Sequence, residues 1–189
     1  NTAIGYDSLA ANTTGKDNVA MGYQSLLNNT TAANNVSIGH RTMTTNTTGT
    51  YNTAVGGYAL YFNSTNDGNT AIGYNSLFNN TADNNTAVGI SALAANTTGD
   101  ENTAVGAEAL DANTTGTDNV AMGHKTLGVN TTGGFNTAIG NDALDANTTA
   151  SNNTAVGFAA LGANTTGDVN VGVGSLSLDV NTTGSSNVA

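Results

Sequence analysis

Apolar residues recur at two fixed places in a repeating unit of this chain, and most of the remaining positions are small or uncharged polar. The unit opens at Asn1, Asn18, Asn35, Asn52, Asn69, Asn85, Asn102, Asn119, Asn136, Asn153 and Asn170, and a remnant follows at Asn187. Every step is 17 residues except Asn69 to Asn85, which is 16. Counting each opening Asn as position 1, position 4 is always Ile, Val or Met: Ile4, Met21, Ile38, Val55, Ile72 and Val88 in the first six units. Position 9 runs Leu9, Leu26, Met43, Leu60, Leu77 and Leu93. Position 5 is Gly throughout, beginning with Gly5, Gly22 and Gly39, and positions 3 and 8 stay small. Position 12 is always Asn, usually followed by Thr-Thr-Gly. Fixed columns in a tandem array mean that each copy packs on its neighbours in the same way.

A helix does not suit this pattern, because Gly, Asn, Thr and Val interrupt every unit. The repeat predicts an all-β parallel β-solenoid, a β-roll of eleven coils of about 17 residues each. Positions 2–6 are expected to form one strand, 7–11 a second, and 12–17 the return turn. Coils stacked at strand spacing, about 4.8 Å, give a rod roughly 50 Å long. The aliphatics at position 4 and the Leu at position 9 are expected to point into the coil and stack as ladders. Asn at positions 1 and 12 suits bends, where it tolerates left-handed backbone, and stacked Asn side chains can bond amide to amide. The single missing residue lies between Asn80 and Asn85. Placed in the return turn, it leaves the ladders in register.

Such a core is thin. One coil buries on the order of 200–300 Å² of apolar side chain, roughly 5–8 kcal/mol, against an ordering cost of roughly 25 kcal/mol. Additional burial between identical chains is therefore expected, most simply in a parallel homo-oligomer with the small-residue strand on a shared axis. The chain begins at a repeat boundary and stops three residues into a twelfth unit. We accordingly expect residues 1–189 to be a single repeat domain and an excerpt of a longer fibre.

Composition narrows the chemistry. Asn and Thr number 31 and 33, so about a third of the chain is one or the other. Charged residues make up 8%, against about 25% in soluble domains. Zero Cys excludes disulfides, thiolate metal sites and a cysteine nucleophile. Lys16, Arg41 and Lys125 face thirteen acids, a balance that argues against nucleic acid as partner. No apolar run approaches the ~20 residues of a membrane span. No acid–base pair recurs in the fixed columns, so no catalytic residues and no cofactor are expected.

With its small residue three positions on, Asn-Thr-Ala-Ile-Gly at Asn69–Gly73 with Ser76, and Asn-Thr-Ala-Val-Gly at Asn102–Gly106 with Ala109, resembles the head repeats of trimeric autotransporter adhesins. The longer unit ending in Asn-Thr-Thr-Gly is also similar to repeats of phage tail-fibre and surface-filament proteins. The resemblance covers essentially the whole chain, although adhesin head repeats are shorter. It implies a left-handed parallel β-roll and a homotrimer outside the cell, on a cell surface or virion, with a host receptor or glycan as a further partner.

Four groups of side chains are candidate sites. His40-Arg41 and His124-Lys125 share columns 6 and 7 five coils apart and read as solvated side chains rather than metal ligands. Asp111, Asp145 and Asp179 occupy column 10 in alternate coils. Avoidance of stacked like charge explains that spacing better than calcium. Tyr58, Tyr61, Phe62 and Phe78 could form an exposed sugar-binding strip or cover a groove between chains. Thr13-Thr14 and its equivalents offer a regular array that could order water and bind ice, and Asn-Thr-Thr is also a glycosylation sequon. The functional expectation is a structural and adhesive rod, with an ice- or glycan-binding module as the alternative.

Overall fold

A computed structural model describes all of residues 1–189. Each of the eleven units contributes one three-residue strand, from β1 (Thr2–Ile4) to β11 (Val171–Val173). The strands form one sheet in strict sequence order, every neighbouring pair parallel. The register advances by one unit per coil: Ala3 lies beside Ala20, and Ala20 beside Ser37. The 16-residue coil keeps this register, pairing Thr70 with Thr86. The chain is thus an all-β parallel solenoid of eleven coils, as the period predicts.

Its stacking does not depend on strands alone. Of 121 backbone hydrogen bonds, 101 lie outside the strands, so most of the ladder runs through turns. The N–H of Leu9 donates to the carbonyl of Ser25, and that of Leu26 to Thr42, one coil further on.

The expected second strand at positions 7–11 does not form. That segment is a run of turns, because positions 7 and 9 adopt left-handed backbone. Asp7 and Leu9 have φ of 52° and 54°, and Gln24 and Leu26 repeat the geometry. A left-handed Leu costs about 1–2 kcal/mol, and full burial of its side chain returns about 1.5–3 kcal/mol. The two nearly cancel, which leaves the inter-coil hydrogen bonds to decide the conformation.

The core is a column of Leu or Met at position 9 flanked by small residues at positions 3 and 8, Ala or Ser except for Gly172, Thr42 and Thr126. Leu26, Met43, Leu60, Leu77 and Leu93 are fully buried, as are Ala20, Ala54 and Ala71. Two Asn columns close each coil. The Asn18 side chain donates to the carbonyl of Ala32 in its own coil, and its Oδ1 accepts the Asn35 N–H of the next. Asn29 also donates to Ala32, and to the Asn12 side chain one coil back. The same pattern joins Asn52, Asn69, Asn85 and Asn102. No buried side-chain N or O lacks a partner, so these amides incur no net desolvation penalty.

Position 5 needs glycine. Gly89 has a φ of 143°, and a Cβ there would collide with the carbonyl of Gly106 in the next coil.

Candidate functional site

The direction of the position-4 ladder is opposite to expectation. Ile4, Met21, Ile38, Val55, Ile72 and Val88 do lie in register, one above another. They face outward, however, while the small residue at position 3 fills the interior. Ile72 is 40% exposed and Ala71 fully buried. Successive strand residues point to opposite faces, and the room inside the coil is already taken by the Leu column, so only Ala, Ser or Gly fits at position 3.

The result is an outward strip of Ile, Val and Met running the full length of the sheet, flanked by Thr or Val at position 2. Every charged residue lies elsewhere: no Asp, Glu, Lys or Arg occupies positions 1–5 of any coil. At two strand intervals from position 2 to position 4, the strip is roughly 7 Å wide and about 50 Å long. That is on the order of 350 Å², within the range of the largest apolar patch on a typical monomer, here drawn out as one continuous ladder.

The aromatic residues come together. Tyr6, Tyr23 and His40, all at position 6, stack with centroids 5.5 and 5.3 Å apart. Gly57 interrupts the column, and Tyr58 at position 7 carries it on, edge to face with His40 at 5.2 Å. Tyr58 then meets Tyr61 at 5.9 Å, Tyr61 stacks on Phe78 at 5.4 Å, and Phe62 closes on Tyr61 at 4.8 Å. The junction between the position-6 column and the four-residue cluster was not anticipated. Its signal was present in the succession Tyr6, Tyr23, His40 in one column.

The charged groups form no metal site. No three of His, Asp and Glu are placed to hold an ion. Asp111 and Asp145 flank Gly128 in a shallow notch also lined by Glu108 and Lys125. Two coils separate them, roughly 10 Å at strand spacing, too far to share one ion directly. Partial burial raises both carboxyls above their ordinary range; Glu108 raises Asp111 further and Asp142 raises Asp145 further, while Lys125 opposes both. Lys125 pairs with Glu108 at 3.7 Å, both side chains half exposed, an arrangement worth about 0–1 kcal/mol. Like charges are not avoided everywhere. Asp67, Asp83 and Asp100 succeed one another in adjacent coils, where the carboxylates of Asp83 and Asp100 each accept the backbone N–H of the preceding Asp.

The first Thr of each pair is engaged, except in the last coil. The Thr13 hydroxyl donates to the carbonyl of Thr30, and Thr97 and Thr114 repeat the bond up the rod. The sequon Asn residues that follow Asn12, such as Asn46 and Asn96, are buried with their amides bonded, which withholds them from glycosylation in the folded coil.

There is no catalytic cluster on this surface. Comparison with protein-family models, curated proteins and solved structures returned no match. The architecture is that of a repetitive, rigid structural solenoid.

Proposed function

We propose that this chain is a segment of a structural and adhesive rod, carried on a cell surface or virion, in which three identical chains join in parallel through their outward strips. The observation that carries the reading is the uncharged apolar ladder on β1–β11. One face of every coil is apolar, it faces water in the isolated chain, and it keeps one period over the whole length. Another copy of the chain has the same 4.8 Å rise, so each coil meets an equivalent coil. The adhesin-like motif is the support for three chains and for left-handed winding. The remaining surface, free of architectural duty, is where side chains vary and a receptor or glycan can be met.

Sedimentation velocity tests this reading. The parent chain should sediment as a trimer. Placing Asp at Ile72, Val88 and Val105 together should give monomers that retain β circular dichroism, because three carboxylates cannot be buried unpaired. A parent chain that is monomeric at micromolar concentration contradicts the assembly.

A further inference from the structure

The aromatic cluster has no architectural cause. Positions 10 and 11 hold Tyr61-Phe62 in the fourth coil but Ala94-Ala95 in the sixth. The inter-coil bonds are the same in both: the N–H of Phe62 donates to Phe78, and that of Ala95 to Asp111. Columns that the solenoid requires do not change between coils, so the fold tolerates Ala where it carries these rings. Phe62 is 44% exposed, a standing cost for a side chain the fold does not need. Positions 7, 10 and 11 also lie off the strand strip, so assembly through that strip leaves the cluster open.

Charge around it is unlike the rest of the molecule. The chain carries a net charge of −10, and Asp67 and Asp83 lie in the two coils that hold the cluster, yet no acid stands in columns 7, 10 or 11 between Asp7 and Glu108. Within that stretch of those columns the one full positive charge is Arg41, directly preceding Tyr58 in the position-7 column. Arg41 donates through Nε to Gln24 at 3.0 Å and lies 5.8 Å over the Tyr23 ring. Its terminal amino groups have no acceptor in the protein. A guanidinium held in place by one bond and a ring, with its outer nitrogens free, suits a carboxylate or sulfate.

From these observations we propose that the ring cluster of Tyr58, Tyr61, Phe62 and Phe78, with Arg41, binds an acidic carbohydrate. The apolar faces of pyranose rings would lie on the aromatics, while the acidic substituent pairs with Arg41 and neighbouring His40 lends a donor. The ring row climbs several coils, so an oligosaccharide fits better than a single sugar. The site extends the display half of the rod reading and does not depend on its assembly half.

Of the six Tyr only Tyr58 and Tyr61 belong to the cluster, so binding is read as the heat signal of isothermal titration calorimetry. The intact chain is titrated with hexagalacturonate and its neutral methyl ester, and with sialyllactose and lactose. At least one acidic member should saturate the signal and bind about tenfold tighter than its neutral partner, the scale of one charge-assisted hydrogen bond. Arg41→Gln should remove that preference and leave the weak neutral binding. The double variant Tyr61→Ala, Phe62→Ala should lose both, with unchanged circular dichroism and sedimentation. The proposal is overturned if neither acidic probe saturates, or if the double variant binds as the parent does. It is equally overturned if the double variant dissociates the rod without any sugar, which would make the cluster a seam between copies. Monomeric protein that still binds the acidic probe would overturn the assembly reading and keep this one.

Discussion

Three residue types set the geometry of each coil, and each does so by a different constraint. Leu at position 9 accepts a left-handed backbone in return for complete burial. Asn at positions 1 and 12 satisfies the amides that a coil this small leaves inside. Glycine at position 5 lets successive coils approach closely. Gly89→Ala should lower the melting midpoint well below that of Gly174→Ala. Both positions have left-handed backbone, with φ of 143° and 129°, but a Cβ meets the next coil only at Gly89. Backbone strain accounts for about 1–3 kcal/mol at either site, and the collision adds a similar amount at Gly89 alone. Equal midpoints in thermal melts would contradict the close approach.

Titration gives a second test at the residue scale. Partial burial and Glu108 hold the Asp111 carboxyl above its ordinary value of 3.8. The unfolded chain therefore binds fewer protons here than the folded one, and the group destabilises the fold above its folded pKa. As pH falls through that pKa the penalty fades, and below 3.8 both states are protonated. Asp111→Asn should raise the melting midpoint at neutral pH and leave it unchanged below 3.8. A gain that persists in acid would point to a cause other than the charge.

The coil as an element was largely legible from the repeat. Period, parallel stacking, the buried position-9 column and the placement of the missing residue all follow from fixed columns. Two features were not. Alternation shows that positions 3 and 4 face opposite ways, but not which way is in. The decision rests on the volume left beside Leu77 and its neighbours, which only Ala71-type residues fit. Nor does a Leu in a strand-like run announce the left-handed backbone of Leu9. The candidate surface was half legible: the aromatic residues could be named, but not the ring column that joins Tyr23 and His40 to Tyr58. At this scale an asymmetry is expected. Restoring the missing residue as a Gly between Ala82 and Asp83 should shift the melt by only a few degrees, since a turn absorbs it. Deleting Ala104 should abolish the cooperative melt, because a one-residue slip turns the apolar set of that strand to the wrong face. Circular dichroism melts of the two variants decide it.

Across the whole molecule, inside and outside are divided by column. Small residues, Leu and Asn fill the interior, charges keep to positions 7, 10, 16 and 17 or their equivalents, and the apolar strip runs uncharged from β1 to β11. A chain of net charge −10 with one neutral face meets less repulsion from a second copy through that face than through the others. The chain has no Cys, so one introduced thiol reports on this arrangement without interference. Val88→Cys under mild oxidation is the most direct measurement. In parallel chains joined in register, the three thiols meet at the shared axis, and covalent dimers should form rapidly at low micromolar concentration, while Thr98→Cys on the exposed turn stays largely monomeric. Equal cross-linking of the two variants, or none at Val88→Cys, would contradict the account.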